Sequence, residues 1–274
     1  MKNTRIKNVL WSLIFVLFVA AICSAQSAPT ALNLFFPQVV DGSQGGGVAW
    51  GTAIAVTNPA APGTPPAHCT LFLTKDDGTA WNLTLSDENV ASLGSGPTFG
   101  LLLAGGQTQY FLSPALNGDN GLPFSSGYAG VTCTDNPVTG GEIFMEGNQN
   151  GGNQNGTLAA AGVPGTLVRM RQGTTAVRDS DRQANTGVAV ANPGPTATNI
   201  QFQLLDKSGA NIVPPVNRTL APRNKTAFFI SDLFPGAPAS VFGTLRIISD
   251  QAVAATALFF QGATFGTFPL FLVQ

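Results

Sequence analysis

The residues able to do chemistry are few, and they centre on one histidine. His68 is the only His in the 274 residues, and Cys69 follows it directly. A Ser-His-Asp triad would have to use His68, but the chain has no Gly-x-Ser-x-Gly elbow, and the internal repeat described below places Asn199 at the matching position. A metal site formed by His68 and Cys69 is not expected either, because neighbouring residues of a strand point to opposite faces. We therefore predict no catalytic residue and a surface position at a strand edge for His68.

Three short acidic clusters could bind a cation. They are Asp76-Asp77-Gly78, Asp87-Glu88-Asn89 and Asp179-Ser180-Asp181. Calcium takes about six to eight oxygen ligands, and none of the clusters supplies a full set, so solvated turns are the alternative interpretation. We predict no metal site and no cofactor. The carboxylate pair that glycoside hydrolysis needs is not identifiable in the sequence.

Exposed aromatic rings are the other candidate chemistry, because flat ring faces stack on sugars and other ligands. Trp50 matches Ala184 in the repeat, and we take it as the candidate ligand platform; the alternative is a Trp that covers one end of a sandwich. Trp81 matches Ile212 and is expected in the core. Two tyrosines are further candidates, Tyr110 and Tyr128.

Residues 1–25 have the pattern of an export signal. A basic start (2–7) precedes an apolar run (9–22) and the small residues 23–25, which predicts cleavage after Ala25. The run is shorter than the roughly 20 residues that span a bilayer, and no second apolar stretch of that length follows, so we predict no transmembrane span in the mature chain. An uncleaved anchor and a lipid-modified Cys23 are the alternatives.

The remaining chain contains two repeats, because four blocks recur in the same order. The matching blocks are TAIAVTNP (52–59) with TGVAVANP (186–193), 69–85 with 200–216, 103–112 with 220–230, and 134–144 with 249–259. We therefore predict a first repeat at 26–164 and a second repeat at 165–274. The Gly/Asn/Gln-rich stretch 147–163 is predicted to be a loop or linker between them.

Each repeat has the pattern of a β-sandwich. Apolar and polar residues alternate over 200–204, and the pairs Asp77-Gly78 and Ser208-Gly209 are hairpin signals. The chain also carries 32 Gly and 19 Pro, which favour turns over helices. With about seven short strands per repeat, the predicted fold is all-β: two tandem immunoglobulin-like β-sandwich domains after the signal peptide.

Comparison of the two repeats indicates how the cysteines are paired. Once Cys23 leaves with the leader, Cys69 and Cys133 form an even pair in an exported protein. Their repeat counterparts are Ile200 and either Ile248 or Ile247, so both cysteines are replaced by apolar residues together. This predicts that the two positions touch and form a disulfide. The alternative is two separate buried thiols.

Charge divides unevenly between the repeats. Between Gln26 and Gly165, Lys75 is the one basic residue against nine acids, whereas from Thr166 onward nine basic residues face five acids. The mature chain is thus net acidic and has no general attraction to nucleic acid. The asymmetry predicts either attraction between the two repeats or head-to-tail contact between molecules. The apolar end (267–274) is predicted to lie at a sheet edge open to strand addition.

Four segments carry a resemblance: FFPQVVDG (35–42), TAIAVTNP (52–59), TGVAVANP (186–193) and FPLFLV (268–273). Together they resemble a group of secreted bacterial proteins built from tandem immunoglobulin- or fibronectin-like β-sandwich repeats. The resemblance implies an extracellular location and a surface or matrix role. Because these motifs are strand ends and turns, no functional residue carries over.

These observations favour an exported, non-enzymatic structural or adhesive protein, secreted or at the cell surface. Its expected partners are itself, head to tail, or other cell-surface components. A carbohydrate- or ligand-binding module around Trp50, with glycans as partners, is the alternative. A secreted hydrolase is the third function.

Overall fold

The computed structural model of the protein describes residues 32–45, 47–117, 122–148, 157–167, 170–179, 184–262, 264–268 and 270–272. The predicted export signal (1–25) lies outside these residues. The described chain is mostly strand, with a 3₁₀ turn at Pro114–Asn117 and a short helix, α1, at Ile230–Leu233. The strands form two sandwiches in tandem, which confirms the all-β prediction.

The first repeat builds two sheets that share one core. Its strands are β1 (Asn33–Gly45), β2 (Val48–Thr57), β3 (Ala67–Lys75), β4 (Leu83–Ser86), β5 (Ser92–Gly96), β6 (Thr98–Leu103), β7 (Thr108–Leu112), β8 (Ser125–Cys133), β9 (Thr139–Asn148) and β10 (Thr157–Pro164). The front sheet has the order β1-β8-β3-β6, and the back sheet β5-β4-β7-β2-β9-β10. Strand β1 joins them, pairing with β8 as far as Asp41 and with β2 from Gly42 onward. Gly42 has φ +98°, and a Cβ there would lie 2.5 Å from the carbonyl oxygen of Pro123, so the crossing requires glycine.

The second repeat follows the same plan with fewer strands. They are β11 (Met170–Asp179), β12 (Ala184–Ala191), β13 (Thr198–Leu205), β14 (Val216–Leu220), β15 (Lys225–Phe229), β16 (Val241–Gln261), β17 (Thr264–Phe268) and β18 (Leu270–Leu272). The front sheet has the order β14-β13-β16-β11-β18, and the back sheet β15-β12-β16-β17. The 21-residue strand β16 belongs to both sheets and does alone what β8 and β9 do in the first repeat. The apolar C-terminal strand β18 lies at a sheet edge, as predicted.

Alternating burial builds both cores. Ile200, Phe202 and Leu204 are at most 1% exposed, whereas Gln201 and Gln203 lie on the opposite face of the strand. Burying such an apolar side chain contributes about 1.5–3 kcal/mol. The hairpin signals are also confirmed, since both turn glycines adopt a positive φ, +82° at Gly78 and +85° at Gly209.

Two asparagines tie the repeats' strand ends together. Asn58 and Asn192 are fully buried, each just before a proline that ends a strand. Asn58 Nδ2 donates to the carbonyl oxygen of Leu103 (2.9 Å), and Asn192 Nδ2 donates to that of Leu220 (3.3 Å). The two matching Asn-Pro pairs therefore share one structural role: in each repeat the Asn side chain donates a hydrogen bond from the end of a back-sheet strand to a front-sheet strand.

The loop or linker predicted at 147–163 is in part a strand. Residues 149–156 lie outside the described part of the chain, but β10 starts at Thr157 and pairs with β9. Its Ala159, Ala161 and Val163 are buried, and the residues between them are exposed. This two-residue period forms a strand even though its residues are small. The isolated bridge between Phe35 and Thr166 then attaches the following segment to the first repeat.

Candidate functional site

The two repeats contact each other through a small apolar patch, which we call the joint. Phe35, Phe72 and Tyr128 project from the front sheet of the first repeat. They pack against Ala191 and Ala254 in the back sheet of the second repeat, both of which are fully buried. The joint fixes the two sandwiches side by side.

A cleft of about 450 Å³ lies between the two repeats. Aromatic rings from both repeats line it: Trp50, Phe124, Phe144, Phe228, Phe229 and Phe260. Phe265 lies between two of them, with ring centroids 5.6 Å from Trp50 and 5.4 Å from Phe260, and Phe229 follows at 5.3 Å from Phe260. These four rings form an aromatic row that crosses from the first repeat to the second.

Trp50, the predicted ligand platform, lies in the wall of this cleft. It is half-buried, and its Nε1 donates to Gln44 Oε1 at 3.3 Å. Packing against Phe265 covers part of the indole ring, and the rest remains accessible. Trp50 therefore lies between the two repeats. The sequence of the first repeat alone does not show this, because the second repeat supplies the other side of the cleft.

An ion pair with a buried lysine and a half-exposed aspartate crosses from one repeat to the other beside the rings. Lys225 Nζ of β15 lies 3.1 Å from Asp76 Oδ1 in the turn after β3, and the Lys225 backbone N–H donates to the Asp76 carbonyl oxygen at 3.1 Å. The Lys225 side chain is 1% exposed and that of Asp76 48%. Burial lowers the pKa of Lys225, and the Asp76 charge opposes this. This ion pair is therefore one direct contact between the acidic first repeat and the basic second repeat.

Glu142 of β9 is a buried carboxyl group that sequence analysis did not single out. It is 1% exposed, and neither of its oxygens has a hydrogen-bond partner. Burial raises its pKa well above the usual range, although the charge of Lys225 acts in the opposite direction. The side-chain oxygen of Gln38, which lines the cleft, is also buried without a partner. Comparison of the two repeats could have identified Glu142, because this acid matches the apolar Ala257 in an otherwise similar block.

His68 is the second residue of β3, and its side chain is exposed, which is the surface position predicted for it. Its Nδ1 lies 2.5 Å from Asp135 Oδ2, and its backbone N–H donates to Asp135 Oδ1 at 2.9 Å. The second repeat has the same arrangement, in which Asn199 donates through its backbone N–H and its side chain to Asp250. The His68 hydrogen bonds lower the pKa of Asp135 to about 2. The His68–Asp135 pair is therefore one of two equivalent clamps, each between two strands of a repeat.

The acidic clusters are largely occupied by turn contacts. Asp77 Oδ1 accepts from the backbone and hydroxyl of Thr79, and Asp87 Oδ1 accepts from the backbone N–H groups of Asn89 and Ala91. Asp179 ends β11, and residues 180–183 lie outside the described ranges. Among the described residues, no group of three or more His, Cys, Asp or Glu side chains could hold a metal ion.

Cys69 and Cys133 form a disulfide between β3 and β8, in directly opposed positions. The predicted counterpart of Cys133 is wrong by one or two residues, because Ile200 pairs with Ser249 and not with Ile248 or Ile247. The register differs because β8 ends at Cys133, whereas the second repeat continues as one strand, β16, through this region.

The remaining aromatic candidates lie away from the cleft lining. Trp81 is 3% exposed in the core of the first repeat, as predicted. Tyr128 is buried in the joint and cannot serve as a surface platform. Tyr110 is 41% exposed on β7. Within the described ranges, no helix has the length and apolar character needed to cross a membrane.

Comparison with known proteins gives distant structural similarities. No protein-family model and no curated protein sequence matches the chain. A Thermotoga maritima structure (protein 1070) shares 13% identity over 39% of this chain and 93% of its own, with a TM-score of 0.29. The Anabaena sensory rhodopsin transducer shares 16% identity over 34% and 99%, with a TM-score of 0.28. The pilus backbone of Streptococcus pneumoniae shares 12% identity over 85% and 89%, with a TM-score of 0.18.

Proposed function

We propose that the protein is an exported, non-enzymatic adhesion protein that binds a carbohydrate in the cleft between its repeats. One observation supports this most strongly: rings from both repeats line a cleft that also contains amide, hydroxyl and charged side chains. A sugar presents C–H faces that pack on rings and hydroxyls that bond to such polar groups. The side-chain oxygen of Gln38, which lines the cleft and has no hydrogen-bond partner, is suited to accept a hydrogen bond from such a hydroxyl.

The carboxylates of the cleft favour binding over hydrolysis. Glycoside hydrolysis requires two carboxyl groups that act as acid and as base or nucleophile. The acids that line the described cleft are Asp76 and Asp232, and Asp76 is committed to Lys225. The disulfide is compatible with an extracellular protein, because disulfides persist in oxidising compartments.

Screening on a glycan array, followed by titration of the best oligosaccharide, tests the proposal. We expect Trp50→Ala to weaken binding at least about tenfold, which corresponds to about 1.4 kcal/mol. The matched control is Tyr110→Ala, which removes an exposed ring outside the cleft lining and should leave affinity unchanged. Equal binding by the Trp50→Ala protein would reject the cleft as the site. Release of reducing ends during incubation would indicate the hydrolase instead.

A further inference from the structure

We propose that the cleft selects a saccharide that carries a free ammonium group, an amino sugar in place of a neutral or acidic one. The ammonium lies against the aromatic row, and the Asp232 carboxylate is its counter-ion. This inference rests on the proposed function and names the class of sugar. Three features of the cleft support it: its lining lysine is already neutralised, one carboxylate is open, and its rings present faces that attract cations.

The lysine that lines the cleft has little to offer an acidic sugar. Lys225 Nζ lies 3.1 Å from Asp76 Oδ1 and 3.5 Å from Ser126 Oγ. The Lys225 side chain is 1% exposed, and no other Lys or Arg lines the described part of the cleft. A uronate or sulfate group would therefore lose hydration there without gaining a free counter-ion.

Asp232 is the carboxylate of the cleft that remains open. It lies in α1, three residues after Phe229 at one end of the aromatic row, and it is exposed. Among the residues that the structure describes, no hydrogen-bond donor or cation contacts its carboxylate. Because two carboxylates (Asp76 and Asp232) and one ammonium (Lys225) line the cleft, the lining has a formal charge of −1. This charge favours a cationic ligand.

A second acid lies at the other end of the aromatic row. Glu146 of β9 is directly opposite Trp50 of β2, and directly opposed residues of an antiparallel pair present their side chains on the same face. Burial raises the pKa of Glu146. A neighbouring ammonium would stabilise the Glu146 carboxylate, whereas a neighbouring anion would destabilise it further. Both ends of the row thus favour a cation.

The rings add an attraction that does not depend on the carboxylates. The π electrons of an aromatic face attract an ammonium or guanidinium group that lies over it. The chain already contains such contacts, since the Arg178 guanidinium lies 5.5 Å from the ring centroid of Phe242 and 5.7 Å from that of Phe259. In the cleft, Phe229 is 38% exposed, so its ring is accessible to a ligand.

Isothermal titration calorimetry with a matched pair of ligands tests the inference. Tetramers of glucosamine and of N-acetylglucosamine have the same ring and linkage and differ in the charge of the 2-amino group. We expect the glucosamine tetramer to bind at least about tenfold more tightly, and added salt to weaken its binding. Asp232→Asn should reduce this preference to about threefold or less. The control Glu88→Gln removes an exposed carboxylate outside the cleft lining and should leave the preference unchanged.

Equal or tighter binding of the N-acetylated tetramer, or of any other neutral or acidic oligosaccharide, would overturn the inference and leave the carbohydrate site intact. A preference that Asp232→Asn does not change would also overturn it, because the ammonium would then lie elsewhere. Choline chloride is titrated as an ammonium ligand without a sugar. Binding of choline but of no saccharide, or of no ligand at all, would reject the proposed function together with this inference.

Discussion

Glu142 occupies a position where its repeat counterpart, Ala257, is a fully buried apolar residue. A carboxylate there would lose its hydration, and this burial raises the pKa of Glu142, so the folded state favours the neutral acid.

Replacing Glu142 by Gln should stabilise the protein in a pH-dependent manner. Because the pKa of Glu142 is raised in the folded state, the wild-type protein loses stability as pH rises through the unfolded value of about 4.3 towards the folded value. Glu142→Gln should therefore stabilise the protein at neutral pH and change its stability little near pH 4. Urea unfolding at both pH values measures this. A gain that is equal at the two would contradict the assignment.

The Asp135 clamp should affect acid stability in the opposite sense. Its pKa of about 2 lies below the ordinary value, so its contribution is present above about pH 4 and is lost as pH falls towards 2. Asp135→Ala should lower the melting temperature at neutral pH and have little effect near pH 2. Asp250→Ala is the matched control, because the pKa of Asp250 is also lowered and its clamp is equivalent. Opposite pH trends in the two variants would reject a shared structural role.

Sequence alone was sufficient for residues whose contacts lie within their own repeat. His68 at the strand edge and Trp81 in the core follow from the repeat, which shows what each position tolerates. Lys225 was not singled out, because it is one of many basic residues and its partner Asp76 lies in the other repeat. Nothing local distinguishes a lysine that crosses a domain interface from one that faces solvent.

At the level of elements, the disulfide of the first repeat takes the place of a noncovalent pair of opposed residues in the second repeat. In the first repeat Cys69 and Cys133 bind covalently across β3 and β8, whereas Ile200 and Ser249 meet at the equivalent place in the second. The cross-link closes a long loop, since its cysteines are 64 residues apart. It restricts the unfolded chain more than a noncovalent pair does.

Removing the disulfide should destabilise the first repeat selectively. Replacing both cysteines by Ala should cost about 4 kcal/mol in the chain-entropy model for a loop of this length. Hydrogen exchange followed by mass spectrometry should show faster opening of β3 and β8, with β13 and β16 unchanged. Equal loss of protection in both repeats would show that they unfold as one unit.

The strand patterns were predictable where alternation is strong and less so elsewhere. Strand β13 follows from Ile200, Phe202 and Leu204 alone. Strand β10 was missed because its buried positions are Ala159, Ala161 and Val163 and a Gly/Asn/Gln tract precedes it. The exchange of β1 and β16 between sheets could not be predicted, because a long strand looks the same in sequence whether or not it changes sheets.

At the scale of the whole molecule, the joint and the Asp76–Lys225 pair hold the repeats together and define the cleft. Neither could be predicted from sequence, because each depends on how two sandwiches pack and not on the pattern within either. The hypothesis that molecules contact each other head to tail came from another property of the whole chain, the uneven charge of its two halves. Head-to-tail contact between molecules stays a prediction.

The buried ion pair should respond unequally to loss of its two partners. Asp76→Ala leaves the Lys225 ammonium buried without its partner and should cost up to about 3 kcal/mol, reduced from larger values because Asp76 is half exposed. Lys225→Met keeps a similar volume without the charge and should cost less than about 1 kcal/mol. Urea unfolding of both variants measures the difference. A larger cost for Lys225→Met would contradict the burial of an uncompensated charge as the cause.

Fluorescence of Trp50 tests the central claim, a carbohydrate site between the repeats, most directly. Trp50 and Trp81 are the tryptophans beyond residue 25, so Trp81→Phe leaves Trp50 as the reporter and Trp50→Phe leaves Trp81. Gluco-, xylo-, chito- and uronate oligosaccharides selected on the array are titrated into both proteins. We predict a saturable change in the Trp81→Phe protein and none in the Trp50→Phe protein. A bound oligosaccharide that leaves the Trp50 signal unchanged, or that alters the Trp81 signal, would contradict the account.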